Sequence, residues 1–249
     1  MNIFCLDDAE IGLYVKIRTL DQTVIEGMIS AVLTKVPYHL EGIEVEIANS
    51  DGKFEGRILE YLEMEPTEKK QFELKKQIKN YLNSTESQFL EFKETFSVST
   101  RIPFDSNIRP NKLLQLVTAK TIQAFANSLG GTLLIGIEDA THSVKGLSRD
   151  YTLLPPGKQN EDGFQIEIKN KLTGFFNRGS RIFDFIDINI VTYDNEEICM
   201  INVQPSQFPF ILHDDNTYHY YVRKGNASLP YSPNDFMEYW IEHIKQITI

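Results

Sequence analysis

The chain is poor in cysteine, tryptophan and positive charge, and it has no long apolar run. Its 249 residues hold two cysteines, Cys5 and Cys199, with no C-x-x-C, and five histidines scattered without zinc spacing. A disulfide framework and a zinc centre are therefore not expected, and the thiols read as free in a reducing cytoplasm. No stretch approaches the roughly 20 apolar residues that span a bilayer. Met1 to Glu10 carries acids and no basic n-region, so neither a membrane span nor a secretory signal is expected, and the location is read as cytoplasmic. The phosphate-cradling pattern G-x-x-x-x-G-K-S/T is missing, so no nucleotide is expected as cofactor. A formal net charge of −10 argues against tight, non-specific coating of DNA. The deficit is uneven. Residues 1–66 hold 5 Lys+Arg against 13 Asp+Glu, residues 67–83 hold 5 against 2, and residues 84–249 hold 15 against 20. A local positive groove is compatible with those numbers, because a bound divalent cation reverses the sign at an acidic site.

What is present suits a globular α+β protein, with 41% hydrophobic and 24% charged residues. Residues 11 to 63 alternate apolar and polar in four short runs, at Val15–Arg18, Val24–Ile29, Ile43–Ile47 and Phe54–Ile58. Asp51-Gly52 between two of them is a hairpin signal. Four or five strands in about 60 residues predict a small SH3-like β-barrel over 1–66. Residues 67–83 then read as a charged linker helix whose lysines mark a solvated face.

The chemistry concentrates between Glu86 and Asp139. Glu91-Phe92-Lys93 in a strand puts a carboxylate and an ammonium on one exposed face, with Leu90 and Phe92 on the other. Many metal-dependent nucleases use such a pair, although Glu-x-Lys alone is common on surface strands. From Lys112 to Leu129, apolar residues at Leu114, Val117, Ile122, Phe125, Ala126 and Leu129 predict an amphipathic helix stopped by Gly130-Gly131. Thr132 to Ile137 reads as a buried strand that delivers Glu138-Asp139 to its tip. The glycine pair follows a helix and precedes a strand, the reverse of a phosphate-binding loop.

These residues resemble a known family. Glu86-Ser87 through Glu91-Phe92-Lys93, Ala124-Phe125-Ala126-Asn127, Gly130-Gly131 through Ile135-Gly136-Ile137-Glu138-Asp139, Val144-Lys145-Gly146-Leu147 and Tyr220 through Ser228 are similar to the Schlafen-type AlbA domain. The resemblance covers roughly residues 84 to 228. It implies an α/β domain over 84–249 with a mixed sheet, flanking helices and a C-terminal helix, and it implies nucleic-acid binding. Several Schlafens are metal-dependent endoribonucleases that cut transfer RNA. Carried over, their three acids fall on Glu86, Glu91 and Asp139 as ligands of Mg²⁺ or Mn²⁺, with Lys93 beside them. The resemblance thus implies an endoribonuclease acting on structured, tRNA-like RNA. The alternative is a non-catalytic nucleic-acid-binding regulator, or an adaptor for a protein partner, with the acids paired to Arg223 or Lys93. Asp21-Gln22 with Gly27, Leu33-Thr34-Lys35, His39, Gly42-Ile43-Glu44-Val45 and Asp51-Gly52 with Gly56-Arg57 in turn resemble the small YwbE-like domain, except that Glu44 and Glu46 stand where that family shows basic residues. Protein contact or dimerisation is therefore expected of the acidic barrel.

The remaining positions are supporting ones. Residues 94–111, with Pro103 and Pro110, read as a loop whose Arg101 and Arg109 are candidates for phosphate contact on RNA or DNA. Arg223 and Lys224 close the last predicted strand; Arg223 either meets phosphate or pairs with an acid. Helix over 164–172, strands over 184–191, 197–203 and 218–223, and a terminal helix capped by Ser232-Pro233 complete the expected order. Eukaryotic Schlafens pair two such domains, so by analogy a homodimer of this chain is expected to rebuild the groove.

Overall fold

The structure is a computed structural model describing residues 1–49, 51–63, 65–98, 108–177, 179–215 and 217–247. The chain forms two compact units, Met1–Leu74 and Lys75–Ile249. The first holds β1 (Tyr14–Arg18), β2 (Val24–Val32), β3 (Glu44–Asn49) and β4 (Gly52–Tyr61). Each pairs antiparallel with the next, and β1 closes onto β4 to complete a barrel. Alternation sends Val15, Ile17, Ile29, Val45, Ile47 and Ile58 into one core, because side chains a residue apart face opposite sides of a strand. Helix α1 (Pro66–Leu82) starts at Pro66, where a missing N–H costs nothing, and carries the chain from one unit into the other.

The second unit contains β5 (Leu90–Lys93), α2 (Lys112–Ala126), β6 (Gly131–Ile135), α3 (Ser148–Thr152), α4 (Glu161–Phe175), β7 (Ile186–Tyr193) and β8 (Glu196–Val203). After them come β9 (Leu212–Asp214), β10 (Thr217–Lys224), β11 (Ala227–Tyr231) and α5 (Pro233–Ile247). A mixed sheet runs β5-β6-β8-β7, parallel only between β5 and β6. The second sheet, β11-β10-β9, contains two strands that sequence patterning did not anticipate. β9 is three residues long, and β11 carries Pro230, which strand patterns disfavour. Leu133 and Ile135 of β6 share a core with Ile122 and Phe125 of α2 and with Phe164, Ile168 and Leu172 of α4. Among the described residues no helix is long and apolar enough to cross a membrane.

The α2 expectation needs correction. The helix stops at Ala126 rather than Leu129, and Gly130 takes the left-handed backbone (φ +80) four residues later. Val117 and Leu129 are 40% and 50% exposed, while Gln115, Thr118, Thr121 and Gln123 are buried. The buried face is thus partly polar, because α2 packs against loop backbone as well as against β6. Likewise β6 ends at Ile135, and Gly136 (φ +101) turns the chain away before Glu138.

Asp150, on α3, anchors the segment after β5 and was not singled out by the sequence. Its Oδ2 accepts from Thr95 Oγ1 (2.8 Å) and the Phe96 amide (3.0 Å); its Oδ1 accepts from the Ser97 amide (2.8 Å) and Oγ (2.9 Å). Burial raises its pKa and the four hydrogen bonds pull the other way. Asp150→Ala strands those donors in the core, and denaturant unfolding should show a loss of about 3 kcal/mol.

Candidate functional site

Arg223 of β10 fixes the geometry of the acidic region. Its Nε and Nη2 donate to the Ser87 carbonyl (3.2 and 2.6 Å), and Nη2 also donates to the Leu90 carbonyl (3.2 Å). These carbonyls belong to a tight turn, closed by the Ser87 amide on the Leu90 carbonyl, that leads into β5. The guanidinium also lies 4.9 Å from the Phe125 ring centroid. Its side chain is 1% exposed, so the open choice between phosphate contact and an acid is decided for the acid. Arg223 Nη2 sits 2.7 Å from Glu91 Oε2. That contact joins charges but lies off the directions of a hydrogen bond, leaving Oε2 without a directed donor among the described residues. Lys93 Nζ contacts the other oxygen, Oε1, and donates to the Phe92 carbonyl (2.8 Å).

Glu91 is therefore not on an exposed strand face. It is 9% exposed. The parallel register sets it beside Leu133 and Lys93 beside Ile135, on the face that α2 covers. Leu90 and Phe92 face the other way, where the Phe92 ring meets the His142 ring at 4.6 Å. Glu86, half-buried at the foot of the turn, accepts the Phe92 amide at Oε1 (2.8 Å). Asp139 is exposed in the turn beyond β6. Glu138 is occupied by Thr141, Ser143 and Lys145.

The three acids do share a neighbourhood. Burial raises the Glu86 pKa; the Phe92 N–H and Lys93 oppose it, while the charges of Glu91 and Asp139 add to it. Even so, among the described residues no group of three or more His, Cys, Asp or Glu side chains could hold a metal ion. The Glu91 charge is matched by two cations, one of them buried. As placed, the expected Mg²⁺ or Mn²⁺ ligand set of Glu86, Glu91 and Asp139 does not fit.

Of the remaining candidates, Arg109 and Lys224 are exposed, and Lys224 Nζ lies 5.4 Å from the Tyr231 ring centroid. Arg101 lies outside the described residues. What the sequence reading missed is the seam between α2 and β10. Gln123 Nε2 donates to the Phe210 and His219 carbonyls (2.7 and 2.8 Å). Asn127 Nδ2 donates to Phe210 and Tyr221 (2.8 and 3.2 Å), and its Oδ1 accepts the Phe210 amide (2.9 Å). Ser128 Oγ accepts the Arg223 amide (2.9 Å). These buried groups, Gln123 on α2 and Asn127 and Ser128 just past its end, hold the backbone of β10 in place. The strand then stacks His219 on Tyr221 (6.0 Å, 17°), with Lys120 Nζ 4.9 Å from the Tyr221 centroid. The run Thr217-Tyr-His-Tyr-Tyr-Val-Arg-Lys224, aromatic and basic together, was the available signal.

The family model for Schlafen, AlbA_2 matches residues 86–232. The chain belongs to this family. The Schlafen AlbA_2 domain thus takes in Glu86, the Arg223 clamp and the α2–β10 seam. No curated protein matches the chain. Among solved structures, the DIP2311 protein of Corynebacterium diphtheriae is similar at 16% identity with a TM-score of 0.45. That match covers 70% of this chain and 32% of the other, so this chain spans about a third of that protein's length. The N-terminal domain of a Nitrosomonas europaea protein described as related to the ATP-dependent DNA helicase RecG is also similar at 16% identity, with a TM-score of 0.37. There the match covers 60% of this chain and 86% of the other.

Two predictions follow from the AlbA_2 clamp. Arg223→Ala leaves a buried carboxylate short of one cation and should destabilise the protein by about 3–5 kcal/mol in denaturant titrations. Glu86, with a folded pKa above its unfolded value near 4.3, contributes stability that is complete below that value and is lost as pH rises through the folded pKa. In a carbon-detected NMR titration its midpoint should therefore lie high, Asp139→Asn should lower it, and Glu86→Gln should flatten the fall in stability over that interval.

Proposed function

We propose that this chain binds nucleic acid, RNA in the first instance, through its Schlafen AlbA_2 domain and without a divalent metal. The observation that carries the reading is the double neutralisation of Glu91 by Lys93 and Arg223, which makes the acid a structural partner rather than a ligand in waiting. The binding surface is the α2–β10 seam with its flanks. Stacked rings such as His219 and Tyr221 accept unpaired bases irrespective of sequence, and Lys120, Lys224 and Arg109 meet the backbone phosphates. Rings held by buried amides present that platform at little ordering cost on binding. The closed barrel of the first unit is read as SH3-like. Its 13 acids against 5 bases over residues 1–66 suit a basic protein partner better than phosphate.

One observation favours a second reading, that of a metal-dependent endoribonuclease acting on tRNA-like RNA: Glu86 feels the charges of both Glu91 and Asp139. It requires Glu91 to leave Arg223 and Lys93. Fluorescence anisotropy with tRNA and with single-stranded RNA, in EDTA and in Mn²⁺, separates the two. Metal-independent binding is expected, with Lys224→Ala weakening it and lowering the salt slope by about 1. No affinity for RNA or DNA at low salt overturns the proposal. Cleavage in Mn²⁺ that Glu91→Gln abolishes replaces it with the second reading.

A further inference from the structure

A cavity of about 680 Å³ opens in the second unit, lined by Pro110, Lys112, Gln115, Asn170, Lys171, Gly174, Phe175, His213, Asp214 and Asp215. Its volume falls within the roughly 300–1,000 Å³ of small-molecule sites. Two features make it a site. Gln115 is only 3% exposed, and its Nε2 has no hydrogen-bond partner among the described residues. Buried polar groups are rarely left so, because the lost water contact is not replaced. The lining is also charge-balanced: Lys112 is held by Asp214 (2.6 Å) and Asp215 (2.8 Å), and Lys171 by Glu167 (3.4 Å). A phosphate or a metal ion finds no surplus of opposite charge there.

We infer that this cavity takes one unpaired nucleobase of the bound strand, a step that rests on the nucleic-acid reading above. The lining carries the parts that recognise a neutral heteroaromatic ring. Asn170, exposed at the lining, offers an amide edge that donates and accepts, the pattern that reads a base edge, and the buried Gln115 amide lies behind it with its Nε2 unpaired among the described residues. The Phe175 ring and His213, itself 5.0 Å from Tyr218, supply flat surfaces for stacking. The location fits as well: Lys112 and Gln115 open the helix that carries Lys120, and His213 lies on the strand paired with β10 through Tyr218 and His219. A strand lying along the α2–β10 seam therefore reaches the cavity mouth at one end.

The test uses the full chain, with 15N-labelled side-chain amides and Gly174→Leu. A Cβ built on Gly174 meets nothing within 4 Å, so the substitution starts a side chain into open space at the cavity lining, and leucine is the better helix former. Titration with the four nucleoside monophosphates is expected to shift the Gln115 and Asn170 amides saturably, most for one base. Gly174→Leu should abolish those shifts while keeping or raising Tm, and Asn170→Ala should weaken binding about tenfold. Monophosphates that move neither amide at millimolar concentration overturn the inference, as does a Gly174→Leu protein that still shows the shifts. Oligonucleotide binding that survives Gly174→Leu unweakened, with silent monophosphates, removes the base site and leaves the seam reading standing. Saturable monophosphate shifts with no oligonucleotide bound remove the seam and keep the cavity as a base site.

Discussion

A single buried guanidinium holds the second unit's functional end together. Arg223 closes the turn before β5 by taking two of its carbonyls, neutralises Glu91 and lies against Phe125 of α2. Three elements distant in sequence meet at one side chain. A buried cation that has lost its water tolerates little displacement, because each partner it leaves is a charge or carbonyl uncompensated in a low-dielectric interior. The positions of Glu86, Glu91 and Lys93 follow from that clamp. So does their chemistry: a carboxylate flanked by an ammonium and a guanidinium has its charge satisfied internally.

The same end of the molecule shows how buried polar groups at the end of a helix place a strand. Gln123, Asn127 and Ser128 contact backbone atoms of Phe210, His219, Tyr221 and Arg223. Directed bonds of this kind specify register, which apolar packing alone leaves loose. The aromatic face of β10 is thereby tied to the α2 end through its own backbone. Asp150 does a parallel job on the other side of β5, collecting four donors from the segment that leaves the strand.

Periodicity made the barrel strands, α1, α4, β7, β8 and the capped start of α5 legible. Ser232 Oγ does accept the Asp235 amide (3.2 Å). Each of these elements buries a face whose period is written locally. The α2 face was read less well, since Gln115, Thr118 and Gln123 look solvent-facing by composition and are buried, Gln123 by bonding to the backbone of Phe210 and His219. β9 and β11 escaped because one is very short and the other holds a proline. Glu91 illustrates the limit most sharply. Strand alternation correctly separated it from Leu90 and Phe92, yet alternation says which residues share a face and never which face is covered.

The sequence by itself determined the local periods, the stop at Gly130, the acidic character of the first unit and the family to which residues 86–232 belong. Those are properties of neighbours along the chain, or of residue types in a fixed order. Only the tertiary structure decided that Arg223 meets Glu91, that the three acids form no metal-holding group, and that Gln115 borders a cavity with its amide nitrogen unmet. Such facts depend on which distant segments are brought within a few ångströms, and charge pairing changes what a residue can do without changing what it is.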